Sequence, residues 1–343
     1  MLNVKYNTNR VVEENDIVEE NDIVEENDIV EENDIVEEND IVEENDIVEE
    51  NDIVENTIKN IPEYKINYDT IVLSGGSSKG LMILGALQFA KDSYFIKNIN
   101  TFIGVSCGSI ICYLLAIGYT PIEIVVYIST HGLLEKMSSF DFISGINCKG
   151  LSDFNIIHSH IEKMTFSKLG FLPTLKQLYK QLNKTLICCT YNLTKKKVEY
   201  LNHENNPDLP CLLAIRMSSN LPLVFDKFKY KEDYYIDGGI IDNFPIDIGY
   251  ERGGKILGIC ISQNNIIQEN KNVNDNNILE YVYNLIKIPI NFVIRNKIEK
   301  YKDKTTIIEL NNDNIKFFNF NISSIQRLEL FSKGYSIAKD ILE

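Results

Sequence analysis

The chain has no run of 18 or more apolar residues. Its longest candidates are the stretches 110–119 and 288–294, so no single membrane-crossing helix is expected. The opening MLNVKYNTNR lacks an apolar signal core, and no secretory signal is expected. CxxC spacing is missing too. The seven cysteines (Cys107, Cys112, Cys148, Cys188, Cys189, Cys211 and Cys260) are scattered and odd in number, which argues against a disulfide framework or zinc site. Buried, reduced thiols in a cytoplasmic protein fit that pattern. Without Arg clusters, the chain offers no footprint for nucleic acid.

What is abundant is charge, distributed unevenly. The 343 residues carry 50 acidic and 34 basic side chains, net −16. Residues 11–56 hold 22 of the acids, in seven hexads of the form VVEEND or IVEEND with Glu55 beyond them. That leaves 28 acids for residues 57–343, against 32 bases once Lys5 and Arg10 are set aside, so this body is mildly basic. In a helix turning about 100° per residue, successive apolar pairs of the hexad fall 120° apart and form no stripe. As a strand, each face has one apolar residue for every two polar ones. The small or glycine corners of a β-helix are absent. Residues 1–60 are therefore expected to form a disordered, self-repelling acidic tail, with a folded domain over residues 65–343.

The body alternates two hydrophobic periods. TIVLS (70–74), TFIGV (101–105), TLICCTY (185–191) and KILGICIS (255–262) are short β-rich runs, with further strands expected at 197–201, 225–230, 234–236 and 305–310. Helical patterns cover 81–91, 107–117, 153–164, 174–182, 278–301 with a break near Pro289, and 324–342, and Pro121 suits the first turn of another. The Asn-rich stretch 263–277 reads as a solvated loop. Strands alternating with helices imply an α/β fold with a mostly parallel sheet covered on both faces.

Three motifs could carry chemistry. Gly104-Val105-Ser106-Cys107-Gly108 is a GxSxG between strand and helix, where a sharp turn would expose the Ser106 hydroxyl above the sheet edge. A serine N-cap with tight-packing glycines would give the same pattern. Gly75-Gly76-Ser77-Ser78-Lys79-Gly80 also joins strand to helix. Lacking P-loop and dinucleotide spacing, it reads as an anion cradle for phosphate or an oxyanion, with Lys79 either solvated, fixing the loop or meeting an anionic headgroup. A serine nucleophile needs a base. The four histidines (His131, His158, His160 and His203) include none late enough for α/β-hydrolase order, and His158, His160 and His203 read as surface residues. Asp237, at a strand end and followed by Gly238 and Gly239, is the better acceptor, since partial burial would raise its pKa.

In this order the motifs resemble the patatin-like phospholipase family, whose Ser-Asp dyad works without histidine. Gly75 to Gly80 matches its oxyanion loop and Gly104 to Gly108 its nucleophile elbow. Arg216-Met217-Ser218-Ser219-Asn220-Leu221-Pro222 with Phe225 matches an Arg-x-Ser-rich stretch, and Asp237-Gly238-Gly239 with Asn243 and Pro245 matches the DGGxxxNxP signature. Gly334-Tyr335 also fits, so the resemblance spans residues 65–342. It implies a three-layer fold, catalytic Ser106 and Asp237, no metal or cofactor, and hydrolysis of a lipid ester through an acyl-enzyme. Phospholipids or lysophospholipids come first as substrates, then neutral glycerides, with transacylation open. Two positions depart: Ser77 replaces the third loop glycine, and Asn220 replaces a small apolar residue, suggesting a more polar pocket wall. A lipid-binding scaffold of the same fold and an esterase using His158 or His203 are the rival readings. The expected partner is lipid ester at a membrane or lipid-droplet surface, in the cytoplasm with peripheral membrane association. The basic residues of 278–301 (Lys287, Arg295, Lys297 and Lys300), with Lys302, are compatible with an anionic surface, although such a helix would equally pack on its sheet.

Overall fold

The computed structural model describes residues 66–137, 152–262, 278–311 and 322–343. The acidic repeat, the Asn-rich stretch 263–277 and Cys148 lie outside the described residues.

The apolar strand runs form the middle of one sheet. Its parallel part runs β3 (Thr185–Asn192), β2 (Thr101–Val105), β1 (Thr70–Leu73), β7 (Ile256–Ser262) and β8 (Thr306–Asn311). Side chains alternate between faces, so each strand feeds two cores. Ile71, Leu73, Phe102, Leu186, Leu257 and Ile259 enter one; Val72, Ile103, Ile187, Ile256 and Cys260 enter the other. Helices cover both faces, giving three layers. α1 (Gly80–Asp92), α2 (Cys107–Ala116), α5 (Phe154–Leu169) and α10 (Ser324–Leu342) supply buried residues to the larger core, and α8 (Ile246–Arg252) and α9 (Ile278–Tyr301) to the smaller. α1 and α10 touch through glycine. A Cβ at Gly85 would meet the Phe331 carbonyl, and one at Gly334 the Met82 carbonyl.

The sheet is mostly parallel, as expected, with antiparallel pairings added beside β3: β4 (Lys197–Leu201) and β6 (Asp233–Asp237) run antiparallel to β3, and β5 (Phe228–Tyr230) runs antiparallel to β6. Three expectations need correction. The strand expected from Phe225 shrinks to β5, since Val224 and Phe225 are buried in the larger core instead. α7 (Cys211–Ser218) and α8 were not foreseen; each is about two turns long, too short for periodicity to declare. Finally, α9 runs unbroken through Pro289, which is exposed. A proline inside a helix costs about 3 kcal/mol. Burying Ile294, Ile298 and Tyr301 on the same helix, at about 1.5–3 kcal/mol per large apolar side chain, outweighs it. Pro121 does open a helix, α3 (Pro121–Thr130), behind a capping box of Thr120 and Glu123. The short α4 (Leu133–Met137) and α6 (Leu175–Leu182) complete the described helices.

The register around β3 places the site. Cys189 pairs with Val105 on one edge and Tyr200 on the other, and Thr190 pairs with Asp237 and Glu199. β4 occupies one edge through both rungs, so β2 and β6 must share the opposite edge. They run in opposite directions, and their C-terminal ends meet on adjacent rungs. The residue after Val105 therefore abuts Asp237 before any side chain is considered.

Candidate active site

The residue after Val105 is Ser106, held at φ 56°, ψ −131° between β2 and α2. Positive φ is costly for a residue with a Cβ, of order 1–3 kcal/mol, and persists only where the surroundings enforce it. They do so here. The Ser106 amide donates to Ser218 Oγ at 3.1 Å, and Ser218 Oγ donates to the Cys189 carbonyl at 2.6 Å. The Ser106 carbonyl accepts from Ser109 N (2.9 Å), Ser109 Oγ (2.7 Å) and Ser219 Oγ (3.0 Å). At about 1 kcal/mol net apiece, these bonds offset the strain. The flanking glycines are required by space. A Cβ at Gly104 would sit 2.6 Å from the Gly108 backbone, and one at Gly108 would sit 2.5 Å from the Ser74 carbonyl.

Asp237 ends β6 with 2 % of its surface exposed. Its amide donates to the Asn220 carbonyl at 2.9 Å, and its Oδ1 accepts from the Gly239 amide at 2.7 Å. Burial pushes its carboxyl above the ordinary aspartate range to about 6, against the opposing pull of hydrogen bonds from the Ser106 hydroxyl and the Gly239 amide. The contact with Ser106 is incipient: the hydroxyl is near enough to favour the carboxylate, yet Oδ2 has no partner in full bonding geometry. Gly238 lies against the Cys189 carbonyl, where a Cβ would collide.

The glycine-rich loop faces this pair. Gly75 lies against Asn243, whose Nδ2 donates to the Gly75 carbonyl at 3.4 Å. Gly239 is pressed against the same Asn243, so that side chain ties the loop to the Asp237 turn. The amides of Gly76 and Ser77 point at the Cys107 sulfur. Cys107 keeps some surface open, but packing dominates: burial pushes its thiol up to about 12, and neighbouring Asp237 adds to the rise, so it stays neutral. Lys79 is buried in the 3-10 turn before α1, not solvated.

Two cavities meet at Ser106. The more polar one, about 80 Å³, is lined by Gly75, Gly76, Lys79, Asp237, Gly239 and Asn243 together with Lys287 and Ile290 of α9. The other, about 150 Å³, takes in Ser77, Ser78, Gly80 and Cys107 at its near end and is then almost wholly apolar, with Leu84, Ile111, Leu114, Ile161, Met164 and Phe225 among its walls. Gly104, Val105, Gly108 and Gly238 shape the backbone and line neither.

Some residues fall elsewhere than expected. His160 is buried, not superficial; its Nδ1 lies 3.0 Å from the Tyr127 hydroxyl on the apolar wall. His203 stacks on Tyr179 at 3.9 Å, and neither it nor His158 lines a cavity with Ser106. Asn220 does not make a polar pocket wall. It is buried, accepting from Arg216 Nη1 at 2.5 Å and donating to the Tyr235 carbonyl at 2.8 Å, which holds the strand that carries Asp237. Arg216 in turn lies over the Phe154 ring at 4.1 Å, and burial lowers its pKa to about 10. Lys297 is spent internally, 2.6 Å from both Asp242 and Asp247. The bracing by Ser218 and Ser219 was missed; its only signal was two adjacent serines in the Arg216–Pro222 stretch.

The model of the patatin-like phospholipase family matches residues 71–250, more than half the chain. The chain belongs to this family. A relative from Invertebrate iridescent virus 6, named "Probable lipid hydrolase 463L", is 39% identical over 197 residues, covering 57% of this chain and 66% of its own length. The "Uncharacterized protein R571" of Acanthamoeba polyphaga mimivirus is 29% identical over 298 residues, 83% of this chain and 96% of that protein. The crystal structure of VipD from Legionella pneumophila has the same fold, with a TM-score of 0.50 at 17% identity, covering 80% of this chain and 67% of that one.

Proposed function

We propose that this patatin-like protein hydrolyses carboxylic esters of phospholipids or lysophospholipids by a Ser106-Asp237 dyad. The observation that carries the reading is the meeting of Ser106, strained at φ 56° and lining both cavities, with the buried Asp237 carboxyl, which burial raises to about 6 and which lies within hydrogen-bonding reach of the Ser106 hydroxyl. Such a carboxylate is mostly ionised at neutral pH, and more basic than an ordinary aspartate.

Asp237 Oδ2 takes the Ser106 proton as Oγ attacks the ester carbonyl carbon. The carbonyl π electrons move to oxygen, and the Gly76 and Ser77 amides turn from the neutral thiol to that oxyanion beside the N-terminus of α2. Collapse re-forms the carbonyl and breaks the ester C–O bond, and Asp237 returns its proton to the departing alcohol. Water then attacks the acyl-enzyme, giving a proton to Asp237, and the second collapse releases the fatty acid and restores Ser106. The apolar cavity suits the acyl chain. The polar one, with Lys79 and Lys287 in its lining, suits a phosphate-bearing leaving group better than a neutral glyceride.

An apolar rim supports action at a lipid surface. Leu223 lines the polar cavity, is 46% exposed and is held at φ 71°, a costly conformation for a branched side chain. On α9, Ile288 (66% exposed) and Phe292 (67%) share the outward face beside cavity residues Lys287 and Asn291. The inward face of the same helix packs on the sheet through Ile294, Ile298 and Tyr301. Mass spectrometry of products from phosphatidylcholine/phosphatidylserine vesicles tests the proposal: free fatty acid with lysophospholipid is expected, and the reading fails if Ser106→Ala releases fatty acid at the parent rate.

A further inference from the structure

Ser77 stands where the family loop has its third glycine, and it keeps the glycine's backbone. Its φ is 52°, in the left-handed region that a Cβ disfavours. Its Oγ is buried with no hydrogen-bond partner. A position that tolerates glycine thus holds a serine that is strained and unsatisfied at once. Buried polar atoms without partners are uncommon, and a structural role would need the hydroxyl to bond to something. Ser77 lines the cavity that also holds Ser106 and Cys107, and its own amide lies within reach of the Cys107 thiol, the residue after Ser106.

We propose that the Ser77 hydroxyl is a third donor to the oxyanion, joining the amides of Gly76 and Ser77. The inference rests on the hydrolase reading and extends it from backbone donors to a side chain that the glycine loop lacks. Within the protein the hydroxyl has no hydrogen-bond partner. When the ester oxygen becomes negative beside Ser106, the O–H gains an acceptor that exists only in the tetrahedral states, which is the condition for lowering a barrier and not merely tightening binding. The neighbouring Ser78 is the internal comparison. Its Oγ is also buried and unpartnered on the same cavity wall, but its φ is not positive, so it carries no comparable backbone strain.

The test uses the full chain and a soluble p-nitrophenyl ester, so that membrane docking plays no part. Ser77→Gly and Ser77→Ala should lower kcat by roughly a hundred- to a thousand-fold with KM within about twofold, in line with the loss of one oxyanion donor. Ser77→Gly should also raise the thermal midpoint, because glycine relieves the positive φ, so that activity falls while stability rises. Phosphonylation of Ser106 by an alkyl fluorophosphonate, whose P=O oxygen seeks the same donors, should slow in both Ser77 variants. Parent-like kcat and labelling in Ser77→Gly would overturn the proposal. If Ser106→Ala is inactive while Ser77→Gly is unimpaired, the hydrolase reading survives and only this inference falls; a parent that is never labelled sinks both.

Discussion

The two sides of the site satisfy their polar atoms differently. At the elbow, the Ser106 amide and carbonyl are both bonded, through Ser109, Ser218 and Ser219, and those hydroxyls are themselves engaged. Facing it, Ser77 Oγ and Ser78 Oγ on the apolar cavity and Asp237 Oδ2 on the polar one are buried without a hydrogen bond of full geometry. An unsatisfied buried polar group costs about 1–3 kcal/mol. The contrast implies that stability is concentrated in holding the Ser106 backbone, and is given up where the proposed reaction would need free donors and acceptors.

That contrast can be broken from either side. Ser106→Ala should remove at least about 10⁴-fold of ester turnover with the fold intact; circular dichroism and product analysis check it. Asp237→Asn should cost about 10³- to 10⁴-fold, and its stability should move the opposite way. The folded carboxyl, near 6, lies above its unfolded value of 3.8. The folded chain therefore binds the proton more tightly, an advantage fully present below pH 3.8 and lost as pH rises through 6. Relative to the parent, Asp237→Asn should gain up to about 3 kcal/mol between pH 4 and pH 7, read from denaturant melts at both. The same value predicts that parent kcat/KM falls about tenfold per unit below pH 6 and levels off above it.

On the satisfied side, Ser218→Ala removes the acceptor of the Ser106 amide and should cost about 1–3 kcal/mol of stability, with a roughly tenfold loss of kcat at unchanged KM. The smallest effect belongs to the rim. Ile288→Ser with Phe292→Ser should reduce turnover on phosphatidylcholine/phosphatidylserine vesicles several-fold while leaving a soluble ester unaffected. Equal losses on both substrates would make these side chains structural.

The sequence disclosed the strand ends that matter because their apolar runs are long and their turns carry glycines with a spatial reason, as at Gly104 and Gly108. The two residues proposed as a dyad were legible for the same cause: Ser106 follows β2 and Asp237 ends β6. What periodicity could not reveal was which strand neighbours which, so the antiparallel turn of β4 and β6 around β3, the feature that joins the two residues, appeared only in the register. Asn220 was misread because a polar side chain near a site looks like a pocket wall, whereas its bonds to Arg216 and Tyr235 lie inside the protein. His160 was misread for the reverse reason. Its helix is polar enough to look superficial, yet the Tyr127 hydroxyl satisfies its ring inside an apolar cavity.

The direct test of the dyad is the rate at which an alkyl fluorophosphonate labels Ser106 as a function of pH, in the parent and in Asp237→Asn. The account predicts a parent rate that climbs through about pH 6 to a plateau, and an Asp237→Asn rate that is lower by orders of magnitude and lacks that inflection. Labelling of Ser106 in Asp237→Asn at the parent rate, with the same pH dependence, would contradict it.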